Sequence, residues 1–128
     1  MSNDESWNVI YTYTRAQAIA DGVLVDVTTQ ARQSGFKVPV AVTERLFHQY
    51  IIPPPGLEGE GQSIEGRLHD LFFQSIMTAQ KARGKDRVAF EVLFLMRPGE
   101  HETVHCILHI GPGDAGEPVV TIMLPGDE

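Results

Sequence analysis

The sequence predicts an α+β fold. The expected form is an antiparallel sheet of three to five strands, with one long and two or three short helices packed mainly on one face. Three observations carry this. Ser63 to Arg83 holds apolar residues at helical spacing over its whole length. Three apolar or alternating stretches follow it, separated only by short Gly/Pro turns. Connections that short join antiparallel neighbours, because parallel strands need a long crossover.

The elements are read in chain order. Residues 1–6 are a polar arm, and Val9 to Tyr13, rich in β-branched and aromatic side chains, is a short strand. Thr14 opens a helix with capping-box spacing to Gln17, and Gly22 stops it in a left-handed turn. Val23 to Val27 is extended and carries Asp26. Thr28 to Ser34 is a short helix closed by Gly35. Val38 to Val42 is extended, and Pro39 assigns it to an edge or an irregular segment. Thr43 caps the next helix, whose apolar face is Leu46, Phe47, Tyr50 and Ile51. That helix ends before Pro53-Pro54-Pro55. Residues 53–62 form a surface loop.

The long helix places Ile64, Leu68, Leu71, Phe72, Ser75 and Ala79 on its buried stripe. Phe73, Ile76 and Met77 widen that stripe. Arg67, His69 and Asp70 lie opposite, as a solvated face. Arg87 to Met96, Thr103 to Ile110 and Val119 to Leu124 are the strands of a meander. In the second of these, Val104, Cys106, Leu108 and Ile110 share one face, and His105 and His109 lie on the other.

Composition bounds the function. A chain of 128 residues, 42% hydrophobic and 21% charged, fits one domain with its own core. A single cysteine, Cys106, forms no internal disulfide and favours a reducing, cytoplasmic setting. It sits among apolar neighbours as a buried small hydrophobe. The polar, acidic start is unlike an export signal, and no apolar run is long enough to cross a bilayer. The net charge of −7 argues against direct nucleic-acid binding and suits a protein partner with a basic surface. From Pro98 to Glu128 there are six acids and no Lys or Arg.

No metal or cofactor is implied. His101, His105 and His109 are spaced for one face of a strand, where each step of four residues covers about 13 Å, so they share no ion. Gly111 to Pro118 has the glycines of a phosphate loop but no lysine and no following helix. The candidate binding residues are two sets. Tyr13, Arg15 and Asp26 are the start of a ligand pocket, and His105 and His109 are a polar strand face open to a partner. A small sheet with unpaired edges also allows a homo-oligomer.

Several stretches resemble an uncharacterised family of small bacterial proteins often encoded on plasmids, phages and integrative elements. They are Tyr13 to Val27, Ala31 to Phe36 with Val38-Pro39-Val40, Gly66 to Leu71, Arg87 to Phe90, His109 to Asp114, Gly116-Glu117-Pro118 and Thr121 to Pro125. The resemblance implies no activity and no catalytic residues. It implies a setting on mobile DNA. The expected role is a non-enzymatic accessory protein of such elements, working through protein–protein contact. The alternative is a small ligand-binding protein or enzyme with its pocket at Tyr13, Arg15 and Asp26.

Overall fold

Thr14 begins the first helix as its spacing predicts. Its hydroxyl accepts the Gln17 amide, and the Gln17 side chain accepts the Thr14 amide in return. The structure is a computed structural model that describes residues 13–128. The polar arm and, but for Tyr13, the strand expected at Val9–Tyr13 lie outside those residues.

This helix, α1, spans Arg15–Ala20 and gives way at Gly22, whose φ is 79°. Strand β1 (Leu24–Asp26), helix α2 (Thr28–Gln33) and strand β2 (Val40–Thr43) follow. Thr43 then caps α3, a single turn over Glu44–Leu46 that widens at once into a π-helical turn, Phe47–Ile51. The widening has a packing reason. Leu46 and Ile51 are five residues apart and both fully buried, and a five-residue hydrogen bond from Ile52 to the Phe47 carbonyl stacks them. Helix α4 (Ile64–Lys81) is capped by Ser63, whose hydroxyl accepts the Gly66 amide at 3.0 Å. Strands β3 (Arg87–Arg97), β4 (Glu100–Pro112) and β5 (Pro118–Met123) complete the chain.

The five strands form one sheet in the order β1-β2-β5-β4-β3. The meander β3-β4-β5 is antiparallel, as expected. The sheet as a whole is mixed, because β5 returns to pair parallel with β2, Val40 opposite Val120. This also corrects the placing of β2 at an edge. Pro39 stands just before the strand and loses nothing by lacking an N–H, and its carbonyl accepts the Val120 amide at 2.9 Å. Every residue of β2 is buried, the pattern of an interior strand covered on both faces.

Alternation sorts the sheet into two faces. One presents Val40, Val42, Phe90, Val92, Val104, Cys106, Leu108, Val120 and Ile122 to Leu68, Leu71 and Phe72 of α4 and to Ala31, Leu46 and Ile51. The helices α2, α3 and α4 belong to this side. Ile110, expected with this set, lies at its open end and is exposed. Two expectations for α4 fail in opposite directions. Phe73 and Met77 do not widen the buried stripe and remain 53% and 42% exposed. Arg67, expected in solvent, is 2% exposed. Its Nε donates to the Tyr50 carbonyl at 2.6 Å, and its Nη1 donates to Gln62 Oε1 at 2.7 Å and to the Leu95 carbonyl at 2.9 Å. The guanidinium lies 4.7 Å from the Phe94 ring centroid. His69 and Asp70 are exposed, as expected.

Candidate functional site

The second face of the sheet gathers most of the residues that the sequence singles out. Register alone builds a row across all five strands. Asp26 pairs with Ala41, Ala41 with Thr121, Thr121 with His109, and His109 with Arg87. Neighbouring strands lie about 4.8 Å apart, so the row is about 19 Å long. Arg15 reaches it from α1. Its Nη1 donates to Thr121 Oγ1 at 2.7 Å and its Nη2 to the Val120 carbonyl at 2.7 Å. Asp26, Asp114 and Glu117 are close enough to favour its charged form, while burial, the larger effect, lowers its pKa.

The turn between β4 and β5 holds this arrangement. Asp114 accepts the amides of Arg15 and Ala16 at 2.8 and 3.0 Å, so one carboxylate satisfies the first donors of α1 from the far end of the chain. Glu117 folds back to accept the Ala115 amide at 3.0 Å. Two glycines make room. A Cβ on Gly111 would come within 2.8 Å of the His109 ring, and one on Gly113 within 2.6 Å of the Glu117 carboxyl. The imidazole of His109 therefore lies over Gly111 and beside Thr121.

One strand pair further along, His105 faces Glu91, with Nδ1 and Oε2 3.3 Å apart, both exposed. Ala89, Glu91, His105, Ile107 and Pro125 line a shallow hollow of about 480 Å³ on this face. His105 and His109 thus share the open face, as alternation predicts. Arg15 and Asp26 join them there. Tyr13 does not. Its hydroxyl donates to Asp21 Oδ2 at 2.7 Å, and that bond raises its pKa. Asp26 itself accepts from the amide and hydroxyl of Thr28 at 3.0 and 2.6 Å.

Sequence reasoning missed Thr121, Asp114, Glu117 and Arg87. Thr121 had a signal, as the one polar residue inside the apolar run Val119 to Leu124. Asp114 had none, because its partners are backbone amides on a remote helix. The acidic end proves to be largely occupied within the chain. Asp127 accepts from the Thr43 hydroxyl at 2.7 Å and from the Leu124 amide at 3.0 Å, and pairs with Arg45 at 3.1 Å. Glu128 pairs with Arg87. Cys106 is buried, and burial pushes its thiol up to about 12, which leaves an inert core residue. Among the described residues no cluster of three or more His, Cys, Asp or Glu is placed to hold a metal ion, and no helix is long and apolar enough to cross a membrane.

A family model matches the chain over residues 1–128. The chain belongs to DUF6573, a family of unknown function. No curated protein and no solved structure matches this DUF6573 chain. Its function is therefore argued from the open sheet face alone.

Proposed function

We propose that this DUF6573 protein is a non-enzymatic accessory protein that binds another protein through the open face of its sheet. The observation that carries the reading is the shape and use of that face. Arg87, Ala89, Glu91, Leu93, Thr103 and His105 stand exposed on it, on two adjacent long strands. Small-molecule sites are concave and enclose most of their ligand. The hollow on this face is shallow and open, which suits a macromolecular surface. Glu91, exposed although beside His105, favours a partner carrying basic groups. The likeness to small proteins of plasmids, phages and integrative elements supports a role in the biology of such elements, in the bacterial cytoplasm.

A second reading keeps one observation in its favour. Arg15, Thr121 and His109 adjoin one another, with Asp26 beyond Ala41 in the same row, which is the chemistry of an anionic or polar ligand site. Its weakness is that Arg15 and Asp26 already spend their bonds inside the chain.

The test is affinity capture from a bacterium carrying the encoding element, with the wild type beside a Glu91→Lys, His105→Glu double variant. A specific protein, recovered by the wild type and lost by the variant, supports the reading. Identical captures from both reject it. Saturable binding of a small anion, abolished in a His109→Ala variant, turns the assignment to the second reading.

A further inference from the structure

Strand β3 is the long edge of the sheet. Its outer rim has no partner strand among the described residues, and it runs for eleven residues. Unpaired edges of that length are ordinarily blunted by charge, proline or a covering element. Here Glu91 is the single charge between Arg87 and Arg97, and apolar residues crowd the same rim. Leu93 is 59% exposed, and Phe73 lies beside it across the edge. Met77 continues the exposed flank of α4 one turn on. Phe73, Val92, Leu93 and Thr103 line one hollow of about 380 Å³ that wraps around the rim, with Asp70 and Gln74 at its border.

The two ends of this edge carry opposite charge. The loop leading into β3 holds Lys81, Arg83 and Lys85 against the single acid Asp86, and Arg87 already pairs with Glu128. The hairpin leaving it holds Glu100 and Glu102 against Arg97, which already pairs with Glu100 at 3.1 Å. An edge that is basic at one end and acidic at the other complements itself when a second copy pairs antiparallel. A two-fold axis at Glu91 would set Glu91 against its own counterpart, a like-charge contact. An axis at Leu93 instead sets Leu93 on Leu93 and brings the two Phe73 rings together beneath. It also places each basic loop over the other copy's hairpin.

We infer that the protein forms an antiparallel dimer through β3, its two sheets joined edge to edge about Leu93. Pairing about Leu93 runs from Ala89 to Arg97, about 30 Å of edge at about 3.3 Å per residue. With the sheet edge and the flank of α4 each about 10 Å across, each copy contributes on the order of 600 Å², at the low end for a specific interface. The dimer is therefore concentration-dependent. Because the joined sheets share one open face, the dimer doubles the partner-binding surface, but it does not depend on that proposal.

Sedimentation equilibrium of the purified protein from about 1 to 200 μM spans the micromolar dissociation constants expected of so small an interface. The wild type should shift to twice the 14.2 kDa of the chain. Leu93→Lys and Phe73→Glu should each raise the dissociation constant by about 10-fold or more. Circular dichroism of both should match the wild type, because both sites are exposed. Raising the salt should weaken the dimer, since its ends pair by charge. A wild type that stays monomeric throughout overturns the inference. So does a dimer that both variants leave intact, or one that salt strengthens. Glu91 lies on this edge, so capture is also read with His105→Glu alone, a β4 change away from the seam, and either proposal can then fail alone.

Discussion

Replacing Arg67 with methionine tests how the inside of this fold is held. Methionine keeps the length and the packing of the aliphatic stem, and removes the guanidinium. Three oxygen acceptors then lose their donor, and the Met96 sulfur loses a weaker one. Two are main-chain carbonyls, those of Tyr50 and Leu95, and the third is Gln62 Oε1. A buried polar group left unpaired costs about 1–3 kcal/mol, so the two carbonyls alone set a penalty of about 2–6 kcal/mol. Against this stands the recovered cost of burying a cation, which is several kcal/mol before pairing. Setting the middle of that range, about 4 kcal/mol, against a recovery of about 2–3 kcal/mol leaves a net loss of about 1–2 kcal/mol. At a urea slope of about 2 kcal/mol per M this lowers the unfolding midpoint by about 0.5–1 M. Arg67→Lys should recover little, because an ammonium cannot present the guanidinium fork to three acceptors in three directions. Urea titrations followed by circular dichroism decide the matter. A methionine variant as stable as the wild type would refute the reasoning, since it would mean that desolvating the cation costs as much as its bonds return. The loss should be accompanied by faster amide exchange in residues 47–52 and 57–63, which Arg67 ties to β3.

Other consequences are more local. Asp114→Ala removes the acceptor for the first amides of α1 and should cost about 1–2 kcal/mol, with exchange rising in Arg15–Ala20 and not in α4. Gly111→Ala should displace the His109 ring, seen as a changed His109 chemical shift with little change at His105. Between pH 9 and 12 the unfolded thiol of Cys106 gives up its proton while the folded one keeps it, so stability falls as pH rises through that window. The slope is at most about 1.4 kcal/mol per pH unit, and Cys106→Ala should remove it. Asp127→Ala should loosen the contact of the final residues with Thr43 and Arg45 and lower stability by about 1–2 kcal/mol, read as thermal midpoint.

What the sequence displayed were its local rules. The reciprocal bonds of Thr14 and Gln17, the Thr43 and Ser63 caps and the alternation of Val104, Cys106 and Leu108 all act within a few residues, and all are in the structure. What it hid are contacts whose partners are far apart or belong to the backbone. Arg67 looked solvated because a charged side chain beside an apolar stripe usually is. Its acceptors are carbonyls of Tyr50 and Leu95, which no side-chain pattern encodes. The parallel pairing of β2 with β5 was equally hidden, though the run Val40-Ala41-Val42, without alternation, was the mark of an interior strand. The open face was legible strand by strand, in His105 and His109. That Asp26, Thr121 and Arg87 share a row with His109 depends on the register of four separate pairings.

The position of β5 has a consequence for how the molecule is made. This strand, synthesised after β1 to β4, occupies the middle of the sheet between β2 and β4. Until it arrives, β2 and β4 each present an open rim, and the two halves of the core have no common backbone. The nascent chain up to Pro112 is thus a pair of half-sheets with apolar inner faces, a natural client for a chaperone. Pairing residues near 40 with residues near 120 also means that closing the sheet spans most of the chain, which makes folding slow relative to helical proteins of the same size. Shortening the chain before Pro118 would therefore do more than trim an end: it would leave the fold without its keystone.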